Sequence, residues 1–503
     1  VTSVPVRFSE PTGRWIVLAT VLGSGVAMLD STVVNVALPS IARDLGASMA
    51  GLQWTVNAYT LTLAGFILLG GSLGDRYGRR RVFVIGVIWF ALASALCGAA
   101  QGITELVAAR ALQGIGGALL TPGSLAIIQT SFAPEDRARA IGAWSGLGGV
   151  AAAAGPFLGG WLVSAAGWRW VFLLNLPLAA IVVLVAVRRV PETREAGPEA
   201  TGARGGFDVL GAALAALALA GVTYALTEAP AGRVGTAVIT AAALVGVGAA
   251  AGFVLVERRR SYGRGPRAML PLEIFHSRQF SAVNAVTFVM YAGMGVQFFL
   301  LVQQLQVVSG FSPIAAGAAL LPVTILMLLL SARSGALAQR IGPRRPMTFG
   351  LIMAAGGMLL LTRVGPHASY ARDVLPAVVL FALGLAGVVA PLTATVLAAA
   401  DVRHAGIASG VNNAVARAGG LLAVAAVPAL AGLTGAAYAH PAVFTSGFRT
   451  SMVVAAALLL GGAALTWCTI SDGVLRAAPE EAEPQCHRHC AIAAPPLEPP
   501  HPP

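Results

Sequence analysis

The chain has 503 residues, 57% of them hydrophobic and only 11% charged, with a formal net charge of +12. A soluble domain of average make-up carries about 25% charged residues, so water is excluded as the main solvent of this fold. Every basic residue is Arg, and these sit mostly in short loops on one side of the apolar segments, a topological pattern rather than a nucleic-acid-binding patch.

In chain order, Arg14 precedes an apolar run from Trp15 to Ala37. It is too long for a signal-peptide core and has no small-residue cleavage site, so it reads as a first spanning helix. Further helices are predicted near 52–72, 82–100, 103–128, 138–163, 168–188, 208–227 and 235–257. The last six lie near 279–302, 314–338, 346–363, 374–398, 406–432 and 449–470. Runs of roughly 20 apolar residues are helices, because the strands of a membrane barrel alternate over about 10. The expected class is an all-α membrane protein of fourteen spans.

An even count places both termini on one side. The loops of that side hold Arg76, Arg79, Arg80, Arg81, Arg258, Arg259, Arg260, Arg344 and Arg345, among others. The opposite loops hold only Arg43, Arg169, Arg233, Arg363, Arg372 and Arg449. Arg excess marks the cytoplasmic side, so both termini are expected in the cytoplasm and the chain in the inner (plasma) membrane. Beyond Ser471 the chain becomes polar and Pro-rich, and a disordered cytoplasmic tail is expected over 471–503. Cys486, His487, His489 and Cys490 within it could ligate a soft metal, but adjacent ligands in a floppy tail seldom build a site. No metal and no cofactor is expected.

Residues 71–81 (GSLGDRYGRRR) and 335–345 (GALAQRIGPRR) agree at six of eleven positions with an offset of 264. The same offset pairs Arg139 with Arg403, Gly142 with Gly406, Ser145 with Ser409, Gly146 with Gly410 and Gly155 with Gly419. The plan is therefore a cytoplasmic segment (1–14), six helices (15–190), an inserted two-helix linker with cytoplasmic loops (191–278), six more helices (279–470) and the tail. Duplicated halves enclosing a midplane site are a transporter architecture.

Asp30 is the acid that falls deep inside an apolar run. A carboxylate there costs at least a few kcal/mol when unpaired, which marks a functional candidate. It reads either as a group that loads and releases a proton, or as a structural carboxylate bonded to neighbours such as Thr32 or Asn35. By helical rise, Arg110 lies at similar depth, roughly 10 Å from its own helix end.

Five segments in order carry a family resemblance: LDSTVVNVALP (29–39), GSLGDRYGRRR (71–81), RALQGIGGA (110–118), GPFLGG (155–160) and WRWVFLLNLP (168–177). Over residues 14–470 the chain resembles the major facilitator superfamily, and within it the fourteen-spanner drug:proton antiporters. The resemblance implies two six-helix halves with two extra transmembrane helices between them, and helices 1 and 4 facing a central cavity. That would make Arg110 the partner of Asp30 in proton coupling, the alternative being a structural donor to helix-end carbonyls. It also implies a cytoplasmic latch at Gly71, Gly74, Asp75, Arg76, Gly78, Arg79 and Arg80, with Asp75 as its acid; the second copy has Gln339 there. Gly155, Pro156, Gly159 and Gly160 match an antiporter signature that marks export, and are equally a small-residue packing face.

Asn35, Tyr59, Gln113, Asn412 and Arg417 are candidate cargo contacts; structural hydrogen bonding is the competing reading of Arg417. The function implied is proton-driven efflux of small lipophilic, neutral or monocationic compounds, conferring antibiotic resistance, by a monomer in the lipid bilayer with the proton gradient as energy source. The alternative is an uptake permease or a membrane receptor of the same fold. A Walker A loop needs a Lys, which the chain lacks, and neither a Ser/His/Asp cluster nor HExxH appears, so an ATP-driven pump and an enzyme are set aside.

Overall fold

A computed structural model of the chain describes residues 6–192, 208–262, 270, 272–400, 405–434 and 440–475. Each apolar run predicted from the sequence is helical. The first group comprises α1 (Pro11–Leu45), α2 (Met49–Tyr77), α3 (Arg79–Ala99), α4 (Ile103–Ser131), α5 (Pro134–Ala165), α6 (Arg169–Leu173) and α7 (Asn175–Arg189). A hairpin of α8 (Val209–Glu228) and α9 (Thr236–Tyr262) follows. The last group comprises α10 (Arg278–Gln303), α11 (Pro313–Ala318), α12 (Leu321–Ile341), α13 (Arg344–Leu361), α14 (Leu375–Ala398), α15 (Ala405–Leu430) and α16 (Pro441–Thr469). Among the described residues the only β pairing is a single bridge between Val6 and Phe132.

Eleven helical segments of the described chain are long and apolar enough to cross a membrane. The other long helices are α2, α5 and α13, and α13 is less apolar because it opens on Arg344 and Arg345. The outer surface carries large apolar side chains such as Leu92, Leu96, Leu244 and Leu328, as a surface solvated by lipid tails requires.

Several arginines assigned to loops lie on helices, Arg43 and Arg449 among them, with Arg76 at the end of α2 and Arg79, Arg80 and Arg81 opening α3. α1 continues through Pro39 to Leu45, so Arg43 lies in its last helical turn rather than in a loop. α16 starts at Pro441, eight residues before the expected 449, which places Arg449 on the helix, where its Nε donates to the Thr362 carbonyl at 3.0 Å. Polarity misled in both cases: a solvated helix end looks like a loop when apolar runs alone are counted.

Helix pairings in the first group recur in the last. α1 packs on α5 as α10 packs on α15, and α2 and α3 flank α4 as α12 and α13 flank α14. α1 and α3 pack on α7 as α10 and α13 pack on α16. The two groups meet where α5 lies against α11 and α12, and where α2 lies against α15. α8 covers the α2–α15 seam, while α9 packs chiefly on α8 and faces outward. Asp208 caps α8, accepting from the Gly211 N–H at 2.5 Å, and pairs with Arg260 at the far end of α9, which closes the hairpin at its base.

Candidate functional site

The site is built from a single carboxylate outward. Asp30 lies on α1 with no accessible surface, and Arg110 on α4 is almost as buried. Arg110 Nη1 donates to Asp30 Oδ2 at 2.5 Å. The other carboxylate oxygen accepts from Gln113 Nε2 at 2.9 Å and from Asn175 Nδ2 at 3.1 Å. The guanidinium is held in turn: Nη1 also donates to Gln113 Oε1 at 2.6 Å, and Nε to the carbonyl of Thr55 on α2 at 3.0 Å. Ser94 Oγ on α3 accepts from both Gln113 and Asn175. Four helices of the first group thus converge on Asp30, and α2 is attached through Arg110.

Such a pair is favourable only when geometry is good and the leftover lone pairs are satisfied, because each ion loses its hydration. Both conditions hold here. The Tyr59 ring adds a face beneath the cation, 4.3 Å from the Arg110 guanidinium carbon, and its hydroxyl donates to the Ala27 carbonyl at 3.4 Å. The partners suggested as structural ties for Asp30 do not touch it. Thr32 Oγ1 donates back to Leu29 O at 2.9 Å, and Asn35 Nδ2 to Ser31 O at 3.3 Å.

Of the candidate cargo contacts, Tyr59 and Gln113 belong to this network. Asn35 is half-buried with its Oδ1 unpartnered. Asn412 is tied to Thr287 Oγ1 at 2.7 Å and to Asn284 Oδ1 at 3.2 Å, which holds α15 to α10. Arg417, at the middle of α15, stands apart from the network.

The α2–α3 turn is set by Gly78, whose φ of 107° only glycine adopts readily. Gly71 approaches Pro122, and Gly74 faces Arg79. Arg76 stacks over Tyr77 at 5.8 Å. The side chain of Asp75 lies outside the described residues. The acid that the structure does show is Glu192, just past α7: it accepts from the Arg80 backbone N–H at 3.1 Å, and its Oε2 lies 3.5 Å from Arg80 Nε and 3.8 Å from Arg81 Nε. The second copy has a counterpart, since Gly342 (φ 89°) abuts the carboxylate of Asp472 just past α16.

On α5, Gly155 and Gly159 face α1, where a Cβ at Gly159 would lie 2.7 Å from Val33 Cγ1. Gly160 faces the other group, where a Cβ would lie 2.6 Å from Ile314 Cα, and Pro156 offers its carbonyl to Gly317. The glycines and the proline therefore form a contact between groups as well as a packing face. The residues 486–490 lie outside the described set.

Sequence reasoning missed Ser94, Asn175 and Glu192. Asn175 stands in the WRWVFLLNLP segment, and a lone amide inside an apolar run was the available signal. Ser94 gives none, and Glu192 looks like ordinary loop charge.

A buried, fully bonded carboxylate–guanidinium pair inside a helical bundle with a repeated half is the arrangement of a membrane transporter. The chain matches the Major Facilitator Superfamily over residues 20–424, and it belongs to that family: it is a multi-pass membrane transporter and not an enzyme. It is 35% identical over 493 residues to the puromycin resistance protein pur8 of Streptomyces alboniger, covering 94% of this chain and 95% of the relative. It is 35% identical to the probable actinorhodin transporter of Streptomyces coelicolor, covering 83% and 72%. It is 37% identical to the multidrug resistance protein Stp of Mycobacterium tuberculosis, covering 79% and 72%. Among solved structures, the POT family transporter PepTSo superposes with a TM-score of 0.64 at 16% identity, covering 91% and 97%. The fold is shared at that distance.

Proposed function

We propose that this protein is a proton-driven exporter of small lipophilic compounds in a bacterial plasma membrane, working by antiport and conferring resistance to what it exports. The observation that carries the reading is the Asp30–Arg110 pair, buried among Gln113, Asn175 and Ser94. Names of relatives that confer resistance or export a product support it. Protonating Asp30 would remove the anion and leave the Arg110 charge uncompensated in a poor solvent for ions, a loss of about 3–5 kcal/mol when one partner of a buried pair is removed. Helices α1, α3, α4 and α7 would then repack, and that step couples the proton to alternating access. The proton gradient supplies the energy, with no bound cofactor.

The finer arrangement we propose is fourteen spans, with α2, α5 and α13 crossing alongside the other eleven segments. They form two six-helix halves, 15–190 and 279–470, around the 191–278 linker, and act as a monomer. Both termini face the cytoplasm. On that orientation the bonds between the halves, Gln53 Nε2 to Val424 O at 2.7 Å and Gln306 Nε2 to Val36 O at 2.9 Å, lie at the outer end. The Gly160 contact with Ile314 lies there too. This is a conformation sealed toward the outside.

The test uses everted vesicles holding a pH gradient, a panel of lipophilic antibiotics and dyes, and a pH probe. Compound-dependent proton release by the native chain, lost in Asp30→Asn, supports antiport. Compound accumulation in right-side-out vesicles instead would assign uptake.

A further inference from the structure

Arg110 and Arg417 both lie deep in their helices, and among the described residues only Arg110 of the two is in an ion pair. Arg417 is twelve residues from Ala405 and thirteen from Leu430 on α15, about 20 Å from either end. Its side chain is half-buried, and its Nε is buried without a hydrogen-bond partner. Among the described residues it makes no ion pair, whereas Arg110 has Asp30. The polar groups whose field reaches it are Tyr59 on α2 and Tyr291 on α10. Neither is an acid. α10, which packs tightly on α15 through Gly419 and Phe288, contains no carboxylate. The deep carboxylate of the first half, Asp30, is already occupied by Arg110, and Glu228 at the end of α8 accepts from Trp54 Nε1.

A cation at the centre of a spanning helix costs about 2.5–3.5 kcal/mol or more. Helical ends are too far away for its side chain to reach the interface. A half-buried arginine whose Nε has no partner, and which makes no ion pair among the described residues, is a donor set for a ligand, and its planar fork matches a carboxylate or a phenolate oxygen.

We propose that Arg417 is the anion-recognition point of the cargo site, and that the protein accepts lipophilic compounds bearing one acidic group. This deepens the export reading and rests on it for the word cargo; it extends the expected cargo class from neutral and monocationic compounds to weak acids. Arg417 stands on α15, which packs on α2, the helix that carries Tyr59 beneath Arg110, so an acidic cargo binds across the seam from the proton site. Arg417 is thus a specificity residue on the second half, and Asp30 the coupling residue on the first.

The test is equilibrium binding of 2-naphthoate and of neutral 2-naphthamide to the purified full chain in lipid nanodiscs, native against Arg417→Gln and Arg417→Lys. The native chain should bind the carboxylate at least tenfold more tightly than the amide. Arg417→Gln should lose that discrimination while its binding of the amide stays within twofold, and Arg417→Lys should retain part of it. Without ligand, Arg417→Gln should melt no lower than the native chain, since an unpaired buried charge has been removed; a merely structural Arg would lower the melting temperature. Equal binding of both probes by the native chain, failure to bind the carboxylate, or discrimination kept in Arg417→Gln overturns the proposal. The proton-release assay on the native chain with neutral and cationic dyes separates the two readings: dye-dependent release leaves export standing whichever way the binding result falls.

Discussion

Arg110 Nη1 lies 2.5 Å from Asp30 Oδ2 while the same guanidinium, through Nε, holds the Thr55 carbonyl of α2 at 3.0 Å. One side chain therefore joins the only deep acid of α1 to the backbone of the helix that meets the second half along α15. A single side chain thus ties the buried carboxylate to a helix at the interface between the two groups.

Asp30→Asn should keep the fold and lose the coupling. The amide cannot ionise, so proton release with any compound should fall by at least a hundredfold, and resistance with it. Arg110 is then a buried cation without its anion, which predicts destabilisation on the order of 3 kcal/mol. Thermal melting of the purified variant and the vesicle assay check the two halves of this expectation separately. Coupled transport retained by Asp30→Asn would remove Asp30 from the mechanism.

Arg110→Lys should be nearly as damaging, although it preserves charge. Lys is a point charge and cannot meet Asp30, Gln113 and the Thr55 carbonyl in the fixed geometry of a guanidinium. We expect transport at least tenfold below native, with a melting temperature between those of the native chain and Arg110→Ala. Equal transport by the Lys variant would mean that charge alone suffices and that the Thr55 link is idle.

Asn175→Ala tests a residue that the sequence did not single out. It removes one donor to Asp30 Oδ1 and one to Ser94 Oγ, and a lost buried bond to a charged group costs about 1.5–3 kcal/mol. Stability should drop by that amount, with transport reduced several-fold but not abolished, because Gln113 still donates to the same oxygen at 2.9 Å. Unchanged melting would show that water replaces the amide and that the network is wetter than its geometry implies.

The contrast between Asp30 and Asn175 shows what the sequence could reveal. A charge in an apolar run is visible without a structure, because hydrocarbon penalises it wherever it points. An amide or a hydroxyl is cheap enough to occur anywhere, so Asn175 and Ser94 acquire meaning only from the helices that bring them to Asp30. The helices themselves were legible, since run length against bilayer thickness decides them, and so was the duplication, through the 264-residue offset. Helix ends beyond the apolar core were not: Arg43 and Arg449 sit on solvated turns that hydropathy cannot distinguish from loops. The latch shows the same limit. Its glycines and arginines came from the family resemblance, but Glu192 reaches Arg80 from 112 residues away, and nothing local announces it.

That latch gives a graded prediction. Gly78 has a φ of 107°, and a Cβ there would lie 2.6 Å from Glu192 Oε1. Gly78→Ala therefore meets backbone strain and a clash together. Glu192→Gln removes only the ion pairs, while its remaining carbonyl oxygen can still accept from the Arg80 backbone N–H. Arg80 is half-buried and Arg81 exposed, and pairs that water reaches are worth about 0–1 kcal/mol. Gly78→Ala should thus reduce transport and stability more than Glu192→Gln does, and only the effect of Glu192→Gln should shrink in high salt. Glu192→Gln proving the more damaging of the two would mean that its carboxylate serves the transport cycle, beyond holding the α2–α3 turn in place.

Gly160→Val addresses the seam between the halves. α5 approaches α11 so closely there that a Cβ would lie 2.6 Å from Ile314 Cα and 2.5 Å from the Pro313 carbonyl oxygen. A side chain at this point is tolerated only if α11 withdraws, which breaks the outer contact while leaving the Asp30 network, built wholly from the first half, untouched. The variant should therefore fold and lose the sealed state rather than the proton site. With a single cysteine placed at Asn413, which is exposed on α15, labelling from the cytoplasmic side by a membrane-impermeant maleimide should fall several-fold in the Gly160→Val background, and labelling from outside should rise. Transport should drop at least tenfold because the cycle cannot return to the sealed form. Unchanged labelling with lost transport would place the defect in packing of α5 on α1 and would detach Gly160 from the switch between access states.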